Sequence, residues 1–389
     1  MIMKAIRIVC YGLAVLLVVI VAAGLIFISG IKNGAKPKYS GELHLKGLSS
    51  DVTVYRDERG MPHIYASNEK DLYYAVGYVM AQERLWQMDL IRRATTGRLS
   101  EIFGKDFVNT DMFLRSLEMT EKSKSVIGST DPAILEAMSS YCEGVNSYIA
   151  MAGKKLPPEF RILSYSPDPW KLEDLANIIG YMGWDLAKEN LGSDIENYRL
   201  VQKFGTGKAN ELIPDWKAVT SFVFPDFRLD DATLRKINEI FRSIDKVQSE
   251  GISSFTGSNN WAVAGRKTWT GKPVLSNDMH LGLSSPGIWI QMHEVVPGKL
   301  DVTGVVVPGQ PFVVAGHNEK IAWGMTNLMV DDIDLYAEKI NPADSNQYYF
   351  NGAWKNMKVR EEVIKIKGGT EYAPLRICAL TEATAPTWW

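Results

Sequence analysis

The chain opens on an uncharged apolar run, Ile8 to Ile31, preceded by Lys4 and Arg7. Roughly 20 apolar residues cross the hydrocarbon core of a bilayer, so this run predicts a membrane-spanning helix. A cleaved signal peptide has a shorter apolar region and a small-x-small site after it. No clean site of that kind follows Ile31, which favours an uncleaved anchor. The positive-inside rule leaves the short basic N-terminus in the cytoplasm and places everything after about residue 35 outside it; Lys32, Lys36 and Lys38 on the far side run against that bias.

Beyond the run, Val52–Asp57 alternates apolar and polar positions as a strand does, and Gly60-Met61-Pro62 marks a turn. Asn68 to about Gly97 predicts a long helix, capped by Ser67 or Asn68, with Leu72, Val76, Val79, Met80, Leu85, Trp86 and Met88 at helical spacing. Asp131-Pro132 introduces a second helix over 131–150, and Leu172–Leu186 and Asp194–Phe204 extend the helical region. Arg228–Ser254 is polar and predicts a helical linker on the surface. From Trp261 the texture becomes β: Trp261–Ala264, Val274–Leu275, Ile288–His293, Val302–Val307 and Phe312–Ala315 alternate with Gly, Pro and Asn turns. Helices first and strands second imply an α+β fold or a layered αββα arrangement.

Composition changes this picture little. The 389 residues are 46% hydrophobic and 23% charged, as in globular proteins, and suffice for two or more domains or one large one. The net charge of -2 gives no basic field for nucleic acid. The 11 Trp predict a large aromatic core, with a minority available to line an apolar acyl pocket. Cys10, Cys142 and Cys378 show no C-x-x-C or metal-ligand spacing; the latter two allow one disulfide in an oxidising compartment but read rather as two lone buried thiols. There is no G-x-S-x-G elbow and no H-E-x-x-H. Gly265–Lys272 is one residue too long for a P-loop and leads into Pro273, and His293-Glu294 lacks the second His of a zinc helix.

Taken alone, Gly257-Ser258-Asn259 is an ordinary polar turn. Its neighbours alter that reading. Thr256-Gly257-Ser258-Asn259-Asn260-Trp261 is followed by Gly271-Lys272-Pro273-Val274-Leu275-Ser276-Asn277-Asp278-Met279-His280-Leu281. Upstream lie Gly77–Asp89, Arg92-Arg93 and Gly97-Arg98-Leu99-Ser100-Glu101; downstream lie Pro308-Gly309, Gly316–Asn327 and Asp331–Tyr336. These four blocks, in this order, resemble the penicillin acylases, N-terminal-nucleophile (Ntn) hydrolases that cut their own precursor before a Ser and use that Ser to cleave amides. The resemblance implies an Ntn-hydrolase αββα sandwich and a cut at Gly257–Ser258. It divides the chain into an anchor or signal region (1–35), a small-chain region (36–227), a linker (228–257) and the start of a catalytic chain (258–389). The two processed chains would stay associated, and the substrate would be a small N-acyl amide. β-Lactam side chains and acyl-homoserine lactones both fit an apolar acyl pocket.

The chemistry stands on its own terms. A Ser hydroxyl needs a base. At a new N-terminus the Ser's own α-amine, with an unperturbed pKa of about 7.7–8.0, can serve. In the precursor Ser258 attacks the Gly257 carbonyl, where the small Gly tolerates a strained backbone. The resemblance adds His280, which lies 22 residues after Ser258 and would position it by contact with its hydroxyl or amine. It also assigns an oxyanion-hole backbone N–H to the segment Met325–Asn327, with Asn327 as the donor. Asp331-Asp332-Ile333-Asp334 offers hard oxygen ligands suited to Ca²⁺. By resemblance the ligands are Asp331, the Ile333 carbonyl, Asp334 and, from the small chain, Asp194, with Glu196 in reserve. Such a site would tie the two chains together.

The family's catalytic chain is considerably longer than 258–389. It supplies from that further part an Asn that completes the oxyanion hole and an Arg that orients the Ser. The match looks sound to about Arg376, and Cys378–Trp389 does not resemble the family. The resemblance thus implies an incomplete sandwich, with unpaired strand edges and little turnover by this chain alone. The alternative is a non-catalytic, membrane-tethered binding protein on the same scaffold.

Overall fold

The computed structural model describes residues 2–34, 36–212, 229–249, 255–328, 333, 338–369 and 372–379. Helix α1 (Ile2–Gly34) carries a window, Cys10–Gly30, that is long and apolar enough to cross a membrane and is not buried by the rest of the chain. Strands β1 (Thr53–Arg56) and β2 (Pro62–Tyr65) form a hairpin. Asp57 shapes its turn, its Oδ1 accepting from the N–H groups of Arg59 and Met61 at 2.9 Å each, and Gly60 supplies the positive φ of 78°.

Helix α2 (Glu69–Thr95) starts where the sequence indicates. Asn68 Oδ1 accepts from the Asp71 N–H at 2.8 Å, satisfying one of the orphan donors of the first turn. Five further helices follow, α3 (Ser100–Phe103), α4 (Val108–Ser116), α5 (Met119–Ser129), α6 (Pro132–Ala152) and α7 (Pro158–Leu163). The α2–α6 crossing has no room for side chains at two reciprocal points. A Cβ on Gly77 would come within 2.1 Å of Tyr141 O, and one on Gly144 within 1.9 Å of Tyr74 O. The next helical run, α8, covers Leu172–Leu212 with a non-helical break at Gly205. It joins the two segments expected separately, because the intervening Ala187–Ser193 contains no Pro and only one Gly.

The polar linker is the helix α9 (Asp231–Ser249), but it is not a free surface element. Leu234, Ile237, Phe241, Ile244 and Val247 recur at helical spacing. Val247 is buried in a core cluster with Phe107, Leu114 and Met119, and Thr110 Oγ1 donates to the Ser243 carbonyl at 2.7 Å.

The strand-rich part holds β3 (Phe255–Val263), β4 (Val274–Leu281), β5 (Ile290–Val296), β6 (Leu300–Val306), β7 (Ala315–Asn318) and β8 (Ala322–Trp323). Beyond them come β9 (Ile340–Asn341), β10 (Asp344–Phe350), β11 (Ala353–Asn356), β12 (Lys358–Lys365) and β13 (Tyr372–Ala379). The main sheet has the order β1-β2-β5-β6-β7-β8, and its β2–β5 pair is parallel. One strand of that pair lies before Gly257–Ser258 and the other after it. The two are also stitched by side chains, His63 Nδ1 to His293 Nδ1 at 2.9 Å. Helices α2, α6 and α8 cover one face of this sheet, burying Ile64, Ile290, Met292, Val296 and Val306 against Leu72, Val76, Tyr141 and Leu175. The architecture is α+β, helical before Ser258 and strand-rich after it, as expected. The hairpin β12–β13 buries Ile364, Leu375 and Ile377 beside Met112 of α4 and is tied to it by Arg115–Glu362 at 3.0 Å. Cys142 is buried, as expected, but Cys378 is exposed because it lies on the outer side of this two-stranded hairpin.

Glu294 on β5 faces the helical layer and is 1% exposed, with its Oε1 unpartnered among the described residues. Burial pushes its carboxyl from 4.5 to about 8. It is therefore neutral when folded at mid-range pH and ionised when unfolded, so the native state binds the extra proton. Stability then falls as pH rises from about 4.5 to about 8 and is level beyond. Glu294→Gln removes this titration. Urea midpoints of the variant and the parent are expected to diverge over that pH window in favour of Gln. Parallel pH profiles would contradict the assignment.

Candidate active site

Ser258 lies on β3, which pairs with β4 as a separate two-stranded ribbon. The register sets Gly257 opposite His280, Ser258 opposite Met279, Asn259 opposite Asp278 and Asn260 opposite Asn277. Side chains opposite one another share a face of the ribbon and successive ones alternate. Ser258, Met279 and Asn277 therefore share one face, and Gly257, Asn259, Asp278 and His280 the other. The ring of His280 follows that rule: its Nε2 lies 3.0 Å from Asp278 Oδ2, the neighbour two residues away on the same face.

A second backbone segment lies against the Ser258 face. The β7–β8 ladder ends at Trp323, and the chain continues through Gly324–Asn327 past the ribbon. There the backbone N–H of Asn327 donates to Ser258 Oγ at 3.2 Å. Thr326 Oγ1 donates to the Ser258 carbonyl at 3.0 Å, and Asn327 Nδ2 donates to the Leu186 carbonyl of α8 at 3.3 Å. The nucleophile candidate is thus held between a strand partner, a crossing backbone segment and, through Asn327, the long helix of the N-terminal part. An N–H that reaches Ser258 Oγ is also close to the oxygen of any carbonyl that Oγ attacks, two bonds away, where negative charge develops.

The chain matches the family model described as penicillin amidase over residues 51–381. It belongs to the penicillin amidase family. Among its relatives, the acyl-homoserine lactone acylase QuiP of Pseudomonas aeruginosa is 33% identical over 364 residues, covering 89% of this chain and 42% of that protein. Penicillin acylase 2 proenzyme of Pseudomonas sp. strain SE83 is 31% identical over 347 residues (87% of this chain, 44% of that protein). Penicillin G acylase of Escherichia coli is 29% identical over 376 residues (82% and 44%). The chain thus spans a little under half the length of these curated relatives. A solved thermostable penicillin G acylase of Alcaligenes faecalis matches 46% of this chain and 97% of that one at 25% identity, with a TM-score of 0.39. The family match runs past Arg376, slightly further than the sequence blocks indicated.

Of the residues singled out in the sequence, Ser258 and Asn327 are brought together. His280 is next to them in register, on the Gly257 face of the ribbon, with its Nε2 3.0 Å from Asp278 Oδ2. Asp331 and Asp334 lie outside the described residues. Ile333 is half-buried beside the core cluster around Leu90 and Trp184. Asp194 is half-buried on α8, and Glu196, the reserve ligand, forms an ion pair with Arg199 at 2.7 Å. No group of three or more His, Cys, Asp or Glu able to hold a metal is present among the described residues. Three site residues were not foreseen: Thr326, Leu186 through its carbonyl, and Asn277, which binds the backbone of Met325. The available signal was that Asn277 and Thr326 fall inside the family-like blocks around His280 and Trp323.

Proposed function

We propose that this chain is an N-terminal-nucleophile amide hydrolase that matures by cutting itself between Gly257 and Ser258. The observation that carries the proposal is the Asn327 N–H donating to Ser258 Oγ at 3.2 Å. In the precursor, Ser258 Oγ adds to the Gly257 carbonyl, and the oxyanion forms beside that N–H. Collapse breaks the Gly257–Ser258 C–N bond and leaves an ester. Water hydrolyses it, giving a Gly257 carboxylate and a free Ser258 α-amine. That amine then takes the hydroxyl proton when Oγ attacks an N-acyl amide. The acyl group passes to Oγ, the amine product leaves with the proton, and water releases the acid. The parallel β2–β5 pair keeps the two products of maturation in one sheet.

The named relatives are all acylases, acting by their names on acyl-homoserine lactones or penicillins, which favours an enzyme over a binding protein. We assign the substrate class accordingly as a small N-acyl amide. His280, opposite Gly257 on β4, would position Ser258 through its hydroxyl or its new α-amine. For Ca²⁺ we propose Asp194, Asp331, the Ile333 carbonyl and Asp334, an all-oxygen set suited to a hard cation in a structural role. A sulfonyl fluoride tests the nucleophile directly, since it captures an activated Ser. Peptide mapping is expected to find the adduct on Ser258 at a new N-terminus. An adduct on another residue, or on none, would contradict the proposal.

The apolar window of α1 is proposed to anchor the chain, with the rest outside the cytoplasm. The chain is then expected to stay with the membrane pellet after alkaline carbonate washing. Recovery in the soluble fraction with a shortened N-terminus would show a cleaved signal instead.

A further inference from the structure

Among the described residues, the segment that presents Asn327 to Ser258 runs beyond the end of its ladder. The β8 strand pairs with β7 only through Ala322 and Trp323, and the backbone beyond must find hydrogen bonds elsewhere. At Met325 it finds them on one side chain. Asn277 Oδ1 accepts from the Met325 N–H at 2.9 Å, and Asn277 Nδ2 donates to the Met325 carbonyl at 2.8 Å. The same Nδ2 lies 3.2 Å from the Asn259 carbonyl on β3. A carboxamide is the smallest side chain that can reproduce both halves of a backbone pair. Here it takes the place of a strand partner at Met325 and joins the continuation of the main sheet to the Ser258 ribbon. The fit is close: a Cβ on Gly324 would come within 2.7 Å of Asn277 Oδ1 and 2.8 Å of its Cβ and Cγ.

We propose that Asn277 is a positioning residue for the Ser258 chemistry, its carboxamide fixing the 324–327 backbone so that the Asn327 N–H stays on the nucleophile. The inference rests on the acylase reading above. Asn277 does not touch the reacting carbonyl; it acts through Met325 and, two residues on, Asn327. An oxyanion donor that loses its aim loses most of its effect, which is typically about 10²–10³ in rate.

The test uses the whole chain and compares wild type, Asn277→Ala, Asn277→Asp, Gly324→Ala and Ser258→Ala. Asp has the shape of Asn and can accept from Met325 N–H, but it cannot donate to the Met325 or Asn259 carbonyls. Gly324→Ala displaces the same segment by steric contact alone. Self-cleavage is followed by gel and mass, amide hydrogen exchange at Met325 and Asn327 by peptide-resolved mass spectrometry, and overall folding by thermal melting. All three Asn277 and Gly324 variants are expected to exchange faster at 325–327 and to cut about 10²-fold more slowly, with melting little changed. Full-rate cleavage by Asn277→Asp would overturn the inference, as would unchanged exchange at Asn327. A Ser258→Ala chain that behaves as wild type, cut or uncut, would instead sink the acylase reading and the role of Asn277 with it.

Discussion

Replacing Ser258 by Ala is expected to leave the chain uncut at Gly257–Ser258 and any matured form inert toward N-acyl amides. Both reactions use the same oxygen, so both should fail together. Removing a nucleophilic Ser from another hydrolase costs on the order of 10⁶ in rate, far beyond what the remaining site can recover. Ser258→Cys should retain some cleavage, because a thiol is also a nucleophile. The fold should survive either change, since Ser258 is half-buried and its carbonyl keeps the bond from Thr326. An Ala variant that still matured into two chains would remove Ser258 from the chemistry altogether.

The largest expected effect on stability lies far from that site, at Asp89 in α2. Its carboxylate is fully buried and bonds to Arg92, to Arg93 at 2.9 Å and to the Tyr165 hydroxyl at 2.7 Å. The two guanidiniums are only 3% and 4% exposed. Asp89→Ala therefore strands two buried cations with one carboxylate fewer, and such losses cost about 3–5 kcal/mol. Arg93 retains Glu101 at 2.8 Å, and Arg92 retains the carbonyls of Asp168 and Pro169, which places the expected loss at the lower end of that range. Asp89→Asn, which keeps the shape and one acceptor, should lose less. Urea midpoints measure both, and a loss below about 1 kcal/mol for Asp89→Ala would show that water or rearranged partners replace the carboxylate.

Much of the helical half was legible because its signals are local. Asn68 caps α2 and Asp131-Pro132 opens α6, each by a contact within three residues. What depends on packing was not legible. The linker read as a surface helix, yet its Val247 is buried with Leu114 of α4 and its Ser243 carbonyl accepts from Thr110. Phe312–Val314 read as strand because it is apolar, whereas it packs on the core as a loop and the strand starts at Ala315. The site divides in the same way. Gly257, Ser258 and Asn327 lie in blocks that resemble the family, and the structure brings Ser258 and Asn327 together. The spacing from Ser258 to His280 could not say which face His280 takes, since a one-residue change of register reverses every side chain and the ladder is irregular between Phe255 and Gly257. Asn277 was invisible for a related reason: its partner, Met325, is 48 residues away. No local pattern marks a side chain that substitutes for a strand.

The state of the bond between Gly257 and Ser258 decides whether the chain matures as proposed. N-terminal sequencing combined with intact mass of the purified protein reads it directly. The expected result is two associated polypeptides, the second beginning Ser258-Asn259-Asn260-Trp261. A single chain with the Gly257–Ser258 bond intact, or a cut at any other position, would contradict it.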